Sequence, residues 1–242
     1  MRSENRKSGQ TREITIQQGV HPYASGFAEV SFGRTKVLVT ATIVEECPVW
    51  LKGQGKGWIT AEYGMLPSAT HQRNRREAVA GKQTGRTMEI QRLIGRALRA
   101  SVDLSSIRDY TINIDCDVIV ADGGTRSAAI CGAWVALASA LDSFKSERPI
   151  ILKKVAALSA GQVNGSLMVD LDYEEDSTAD FDCNFVLTSK GEIIEVQGTA
   201  EGSPLEINQF IQLYELCKPG FDKIFTLQRE CVADYKNIEI SF

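Results

Sequence analysis

The segment Ala121-Asp-Gly-Gly-Thr-Arg-Ser127 constrains this chain more than any other, because a β-branched run stops at two glycines and a long run of small and apolar residues starts straight after them. A strand that hands over to a helix in this way leaves the helix's first N–H groups unpaired and its positive dipole end uncovered. The glycines let the backbone bend and approach a ligand closely. That is an anion cradle. Thr125 and Ser127 add hydroxyls to it, and Arg126 adds a planar fork matched to phosphate oxygens. No Gly-Lys-Ser/Thr follows four spacer residues, so this is not a Walker loop, and the anion it suits is free phosphate or a nucleic-acid backbone. An isolated Gly-Gly-Thr-Arg more often only turns the chain, so the rest of the sequence has to decide.

Charge is distributed unevenly behind a net value of only -4. Between residues 73 and 99 stand Arg73, Arg75, Arg76, Lys82, Arg86, Arg92, Arg96 and Arg99 against Glu77 and Glu89 alone, whereas residues 170 to 182 hold seven carboxylates and no cation. The first segment suits a polyanion, and the second a metal ion or a cationic neighbour. Six scattered cysteines without C-x-x-C spacing and only two histidines suggest neither a zinc site nor a disulfide framework, which fits a reducing cytosol. The polar start of the chain is unlike a signal peptide. The longest apolar stretch, residues 128 to 141, is too short and too rich in small residues for a bilayer span, so a cytoplasmic protein with no membrane partner and a buried helix at this stretch is expected.

Periodicity organises the chain as one composite α/β unit, of α+β character, with approximate halves 1–150 and 151–242. Residues 27–31 and 36–43 read as a hairpin, residues 59–62 as a short strand and residues 111–120 as a strand with Asp115 and Asp117 on its polar face. Residues 86–102 read as an amphipathic helix burying Ile90, Leu93, Ile94, Ala97 and Leu98, which leaves Arg92, Arg96 and Arg99 displayed. In the second half, strands 155–162 and 166–172 flank Asn164-Gly165, and strands 182–187 and 192–197 follow. A helix with a capping box at Ser203-Pro-Leu-Glu206 runs to about Lys218. At this length about 70% or more of the unfolded surface is buried, so a real core is expected.

The ordered set Lys52-Gly-Gln-Gly55, Gly57-Trp-Ile-Thr-Ala-Glu-Tyr-Gly-Met-Leu-Pro67, Gly85-Arg-Thr87, Gln91-Arg-Leu-Ile-Gly-Arg96, Ala121 to Ser127, Leu171-Asp-Tyr-Glu-Glu-Asp-Ser177 and Val196-Gln-Gly-Thr-Ala-Glu-Gly202 resembles the bacterial ribonuclease PH family along nearly the whole chain. The resemblance implies a ribonuclease PH-like fold of two similar strand-helix halves, the first like domain 2 of ribosomal protein S5, with mixed sheets backed by helices. It implies a phosphorolytic 3'-to-5' exoribonuclease, a tRNA nucleotidyltransferase that acts on tRNA precursors and other RNA 3' ends. It also implies inorganic phosphate as co-substrate and a homo-hexamer built as a trimer of dimers. Two departures stand out: residues 1–6 lack the family's usual Asp-Gly-Arg, and Ser68 replaces a common arginine, which would weaken one RNA contact.

Carried over by motif, the resemblance implies a phosphate site on Arg86, Gly124, Thr125 and Arg126, with Ser127 alongside. It implies a site for Mg2+ or Mn2+ on Asp176 and Asp182, so that Arg86, Arg126, Asp176 and Asp182 are the catalytic set. Arg73, Arg75, Arg76, Arg92 and Arg99 are the expected RNA contacts, although Arg73 to Arg76 suit an intersubunit salt-bridge loop equally well. Asp170, Glu174, Glu175 and Asp180 read as a solvated acidic turn, Asp172 stays open, and Asp115 with Asp117 form a competing acidic pair better suited to a hydrogen-bonded structural role. The rivals are a catalytically inactive RNA-binding ring subunit of an exosome-like assembly, which would lose the arginines or aspartates, and a metal-dependent hydrolytic nuclease, which has no use for a phosphate cradle.

Overall fold

The computed structural model describes residues 2–146, 149–202 and 204–241. The first part of the chain runs through β1 (Ile14–Gln18), β2 (Gly26–Phe32), β3 (Thr35–Val44), β4 (Trp58–Met65), the short α1 (Glu77–Ala80), α2 (Gly85–Arg99), β5 (Thr111–Val120) and α3 (Thr125–Ser143). The second part adds β6 (Ile150–Lys153), β7 (Val155–Val163), β8 (Ser166–Val169), α4 (Tyr173–Asp176), β9 (Phe181–Thr188), β10 (Ile193–Ala200), α5 (Ile207–Cys231) and β11 (Ile238–Ser241). A five-stranded sheet has the order β1-β2-β3-β5-β4, a four-stranded sheet the order β10-β9-β7-β8, and β11 pairs with β6. The first sheet is mixed because β4 runs parallel to β5 while its other pairs are antiparallel. Sheets backed by helices are what the family resemblance implies; the first sheet is mixed as expected, whereas the four-stranded one is antiparallel throughout.

α3 decides where the site lies. It is apolar on every side, with Ala128, Ile130, Cys131, Trp134, Val135, Leu137 and Leu141 fully buried, and such a helix has to be enclosed. It packs on β2 and β3 of one sheet and on β7 of the other. Its N-terminus therefore opens at the seam between the two sheets. α2 covers β4 with the expected face, burying Ile90, Leu93, Ile94, Ala97 and Leu98, where each larger side chain contributes about 1.5–3 kcal/mol by leaving water.

The structure corrects several boundaries, among them the end of α2, which is Arg99 rather than residue 102, and β4, which extends to Met65 rather than residue 62. β8 stops at Val169, because Asp170 takes a left-handed backbone conformation (φ 55°) that no strand continues through. The helix expected at residues 203–218 starts at Ile207, where the Gln209 side chain accepts the Glu206 N–H at 3.1 Å, and continues to Cys231 through Pro219. Ser203, the expected cap, lies outside the described residues. The short strands β1, β6 and β11, of four or five residues each, are additions; the alternation of Ile14-Thr-Ile-Gln17 and Ile238-Glu-Ile-Ser241 marks two of them. Among the described residues no helix is long and apolar enough to cross a membrane.

Candidate active site

The handover from β5 to α3 occurs as the residues dictate. Gly123 and Gly124 both take positive φ (77° and 66°), and Gly124 is the N-cap of α3 without any side-chain cap. Ala128 is the first residue whose N–H donates back, to the Gly124 carbonyl at 3.0 Å. The N–H groups of Thr125, Arg126 and Ser127 in the first turn are thus free for an anion. Gly123 is also a point of close approach, since a Cβ there would stand 2.5 Å from the Leu171 carbonyl oxygen. Tyr63 of β4 donates its hydroxyl to Thr125 Oγ1 at 2.8 Å, and burial raises the Tyr63 pKa, so it stays a neutral donor.

A cavity of about 800 Å³ opens on this turn. Gly124, Thr125 and Arg126 line one wall together with Arg86, which projects from the first turn of α2. Asp176, the last residue of α4, and Asp182, at the start of β9, line the same cavity, with Asp176 within reach of the charges of Arg86 and Arg126. The four expected catalytic side chains are thus brought to one recess. Ser127 is a correction: its hydroxyl is fully buried, has no partner among the described residues and does not line the cavity, so only its backbone N–H is left for the site. Arg126 donates to Gln197 Oε1 at 2.9 Å and lies 3.4 Å from Glu89. Gln197 of β10 and Glu89 of α2 both line the cavity; Gln197 lies within the family motif at residues 196–202, which by itself gives it no role, and Glu89 lies in none of the family motifs above.

The carboxylates are electrostatically strained. Burial raises the Asp176 pKa, with the charges of Arg86 and Arg126 opposing. Burial also raises that of Asp182, and the negative charge of Asp176 raises it further. A hard oxygen donor at Asp182, whose charge is opposed by burial and by the neighbouring Asp176, is what a divalent cation relieves. Among the described residues no group of three or more His, Cys, Asp or Glu is arranged to hold a metal. A pair of carboxylates fits Mg2+ or Mn2+, which keep most of their waters.

The neighbouring acids are not a solvated turn. Asp170 is completely buried against Arg12, whose guanidinium also reaches the carbonyls of Gly123 at 3.3 Å and Leu171 at 3.4 Å. Glu175 is buried and takes Arg2 at 2.7 Å and Arg6 at 3.2 Å. Asp172 caps α4 in a capping box with Glu175 and pairs with Arg6 at 3.3 Å. Glu174 is exposed as expected, and Asp180 is half-buried. The acidic run thus has cationic neighbours for three members and leaves Asp176 and Asp182 facing the cavity.

The basic residues divide as well. Arg73, Arg75 and Arg76 are exposed in the loop before α1, outside the cavity lining, and Arg92 is exposed on α2. Arg99 is tied within the chain: its guanidinium lies 4.3 Å from the Trp58 ring centroid and donates from Nη1 to the Ile59 carbonyl at 2.8 Å, so it is not the freely displayed side chain that the sequence predicts. Arg96, expected on a free stripe, is bidentate to Glu195 at 2.7 Å for both bonds. Asp115 is half-buried, pairs in register with Thr40 and Glu62, and has its pKa raised by burial and by the charges of Glu62 and Asp117. Neither Asp115 nor Asp117 lines the cavity.

The chain is similar to known proteins along nearly its whole length. The family models of domains 1 and 2 of the 3' exoribonuclease family match residues 10–141 and 154–218. The chain is 54% identical over 237 residues to a protein named ribonuclease PH from Caulobacter vibrioides, covering 96% of this chain and 100% of that one. It is 52% identical with the same coverage to the ribonuclease PH of Methylobacterium sp. (strain 4-46). Rice Rrp46 shares the fold with a TM-score of 0.79 at 17% identity, covering 96% of this chain and 100% of that one. A chain of the Archaeoglobus fulgidus exosome, solved with RNA bound to the active site, shares it at 0.76 and 21%, covering 93% and 92%. With both halves of the family matched and full-length relatives above half identity, the chain belongs to the 3' exoribonuclease family, alongside ribonuclease PH.

Proposed function

We propose that this protein is a phosphate-dependent 3'-to-5' exoribonuclease, a tRNA nucleotidyltransferase of ribonuclease PH type. Its substrates are the 3' ends of RNA, tRNA precursors above all, in tRNA and rRNA processing, and its products are nucleoside diphosphates. The observation that carries this reading is the single cavity in which an uncapped helix N-terminus and two arginines face two carboxylates. Arg86, Arg126 and the first amides of α3 bind inorganic phosphate and orient one of its oxygens toward the terminal phosphorus of the RNA. The new O–P bond forms as the bond from phosphorus to the 3' oxygen breaks, and the shortened chain keeps that oxygen and takes up a proton. Mg2+ or Mn2+ held by Asp176 and Asp182 would supply the positive charge that stabilises the departing oxygen. Little general-base machinery is needed, since the nucleophile is already anionic, and one phosphate linkage is exchanged for another of similar energy.

Arg73, Arg75, Arg76 and Arg92 serve the RNA backbone in this reading, without base specificity. The working form is a cytoplasmic homo-hexamer, a trimer of dimers, and light scattering of an active but strictly monomeric species would contradict that part. The free cysteines support a reducing compartment. A non-catalytic ring subunit would be expected to lack part of the set, and Arg86, Arg126, Asp176 and Asp182 are all present. The test is incubation with a 3'-extended RNA with and without phosphate. Diphosphates released only with phosphate support the proposal, and monophosphates released without it reject it.

A further inference from the structure

The cavity is lined mainly by charged and polar groups, which suit phosphates and a cation, and among the described residues no aromatic ring lines it to stack a base of an RNA chain. Two exposed rings stand beside it. Tyr173 begins α4 and lies three and four residues ahead of Asp176 and Ser177, so it shares a helical face with two residues that line the cavity. Its side chain is half exposed, at 50%, and its ring centroid is 5.6 Å from that of His71, with the planes inclined at 55°. His71 is itself exposed.

The position of His71 is fixed by the loop that carries it. Leu66 donates its N–H to Val118 at 3.0 Å, and Ala121, the first residue of the phosphate loop, donates to Ala69 at 2.8 Å. Asn74 closes the loop by donating its N–H to the Pro67 carbonyl at 2.8 Å and its side chain to Thr70 Oγ1 at 2.8 Å. The pinned loop therefore holds one ring next to the phosphate cradle, α4 holds the other next to the metal carboxylates, and Arg73, Arg75 and Arg76 follow directly from the loop.

We propose that His71 and Tyr173 form a stacking platform for a nucleobase near the 3' end of the bound RNA. This rests on the exoribonuclease reading above. Tyr173 is one helical turn, about 5 Å, from Asp176, which is of the order of the spacing between neighbouring nucleotides, so the base belongs to one of the first few positions from the 3' end. Every base has a π-face, so such a platform grips any sequence, as an enzyme that removes nucleotides one after another requires. It would also give a hold on the substrate that salt does not weaken, in contrast to the arginines behind it.

The experiment uses the full chain and a set of single-stranded RNA oligonucleotides, each with one abasic residue at a successive position from the 3' end. For each, the dissociation constant without phosphate and kcat/KM with phosphate are measured. The wild type is expected to show one sensitive position within the first few nucleotides, where loss of the base weakens binding by about 5- to 100-fold. Tyr173→Ala should weaken binding of intact RNA by a similar factor and be indifferent to the base at that position, Tyr173→Phe should restore both, and the salt slope should be the same in all three. A wild type that degrades intact RNA to diphosphates yet ignores every abasic position rejects the platform and leaves the exoribonuclease reading standing. Sensitivity retained in Tyr173→Ala, or binding lost only because the oligomer dissociates, also rejects it. A wild type that releases no diphosphate rejects the underlying reading.

Discussion

Arg12 and Asp170 are locked together beneath the phosphate loop: the Asp170 carboxylate accepts the Arg12 backbone N–H at 2.8 Å, its Nε at 3.0 Å and its Nη2 at 2.6 Å. Burial alone would lower the Arg12 pKa, but Asp170 outweighs it, so the pair stays charged. Through its contacts to Gly123 and Leu171 the same guanidinium sets the spacing between the anion cradle and the segment leading to Asp176. Removing either partner strands a buried charge, so Arg12→Ala or Asp170→Ala should cost about 3–5 kcal/mol in denaturant unfolding. Arg12→Lys keeps the charge but not the fork, and should raise the phosphate concentration needed for half-maximal rate.

The phosphate wall and the metal wall make separable demands. Arg126→Ala removes a charge-assisted contact to the nucleophile, so it should raise the phosphate requirement and slow phosphorolysis by about a hundredfold or more, with RNA binding nearly intact. Asp182→Asn removes a cation ligand, so it should abolish turnover while phosphate affinity changes little. Steady-state kinetics over a range of phosphate, with direct RNA titration, reads both.

Replacing Arg73, Arg75 and Arg76 together with alanine should flatten the dependence of log affinity on log salt, by up to about one unit of slope for each RNA phosphate that is no longer neutralised. An unchanged slope with a dissociated oligomer would assign the loop to assembly instead.

Asp172 makes stability depend on acid. Burial would raise its pKa, but hydrogen bonds from Ser3 and the Glu175 N–H, with the charge of Arg6, hold it below the usual carboxylate value. Its contribution is therefore complete above about pH 4, the unfolded value, and disappears as pH falls through the lower folded value. The stability gap between wild type and Asp172→Asn, measured by urea titration, should be largest at neutral pH and close progressively below about pH 4.

What can be read from sequence here is local. The bounds of β5 and the buried face of α2 follow from alternation and 3.6-residue periodicity, and the positive φ at Gly123 and Gly124 follows from glycine next to a strand end. The partners of Asp170, Asp172 and Glu175 are invisible in it because Arg2, Arg6 and Arg12 lie at the other end of the chain, so a run of acids looks solvated. Arg99 looks free for the same reason, its ring partner Trp58 belonging to β4. The end of α5 falls later than expected because Pro219-Gly220 normally stops a helix. Here tertiary contact wins, with Gly220 packed so closely that a Cβ would stand 2.7 Å from Leu158 and 2.9 Å from Thr11.

The most direct test of the central claim is the fate of the attacking phosphate. The protein is incubated with RNA, divalent ion and isotopically labelled inorganic phosphate, and the released nucleotides are analysed for label. A cavity that cradles phosphate as nucleophile predicts nucleoside diphosphates carrying the label in the β-phosphate, one for each nucleotide removed from the 3' end. Unlabelled monophosphates released at the same rate whether or not phosphate is present would contradict it.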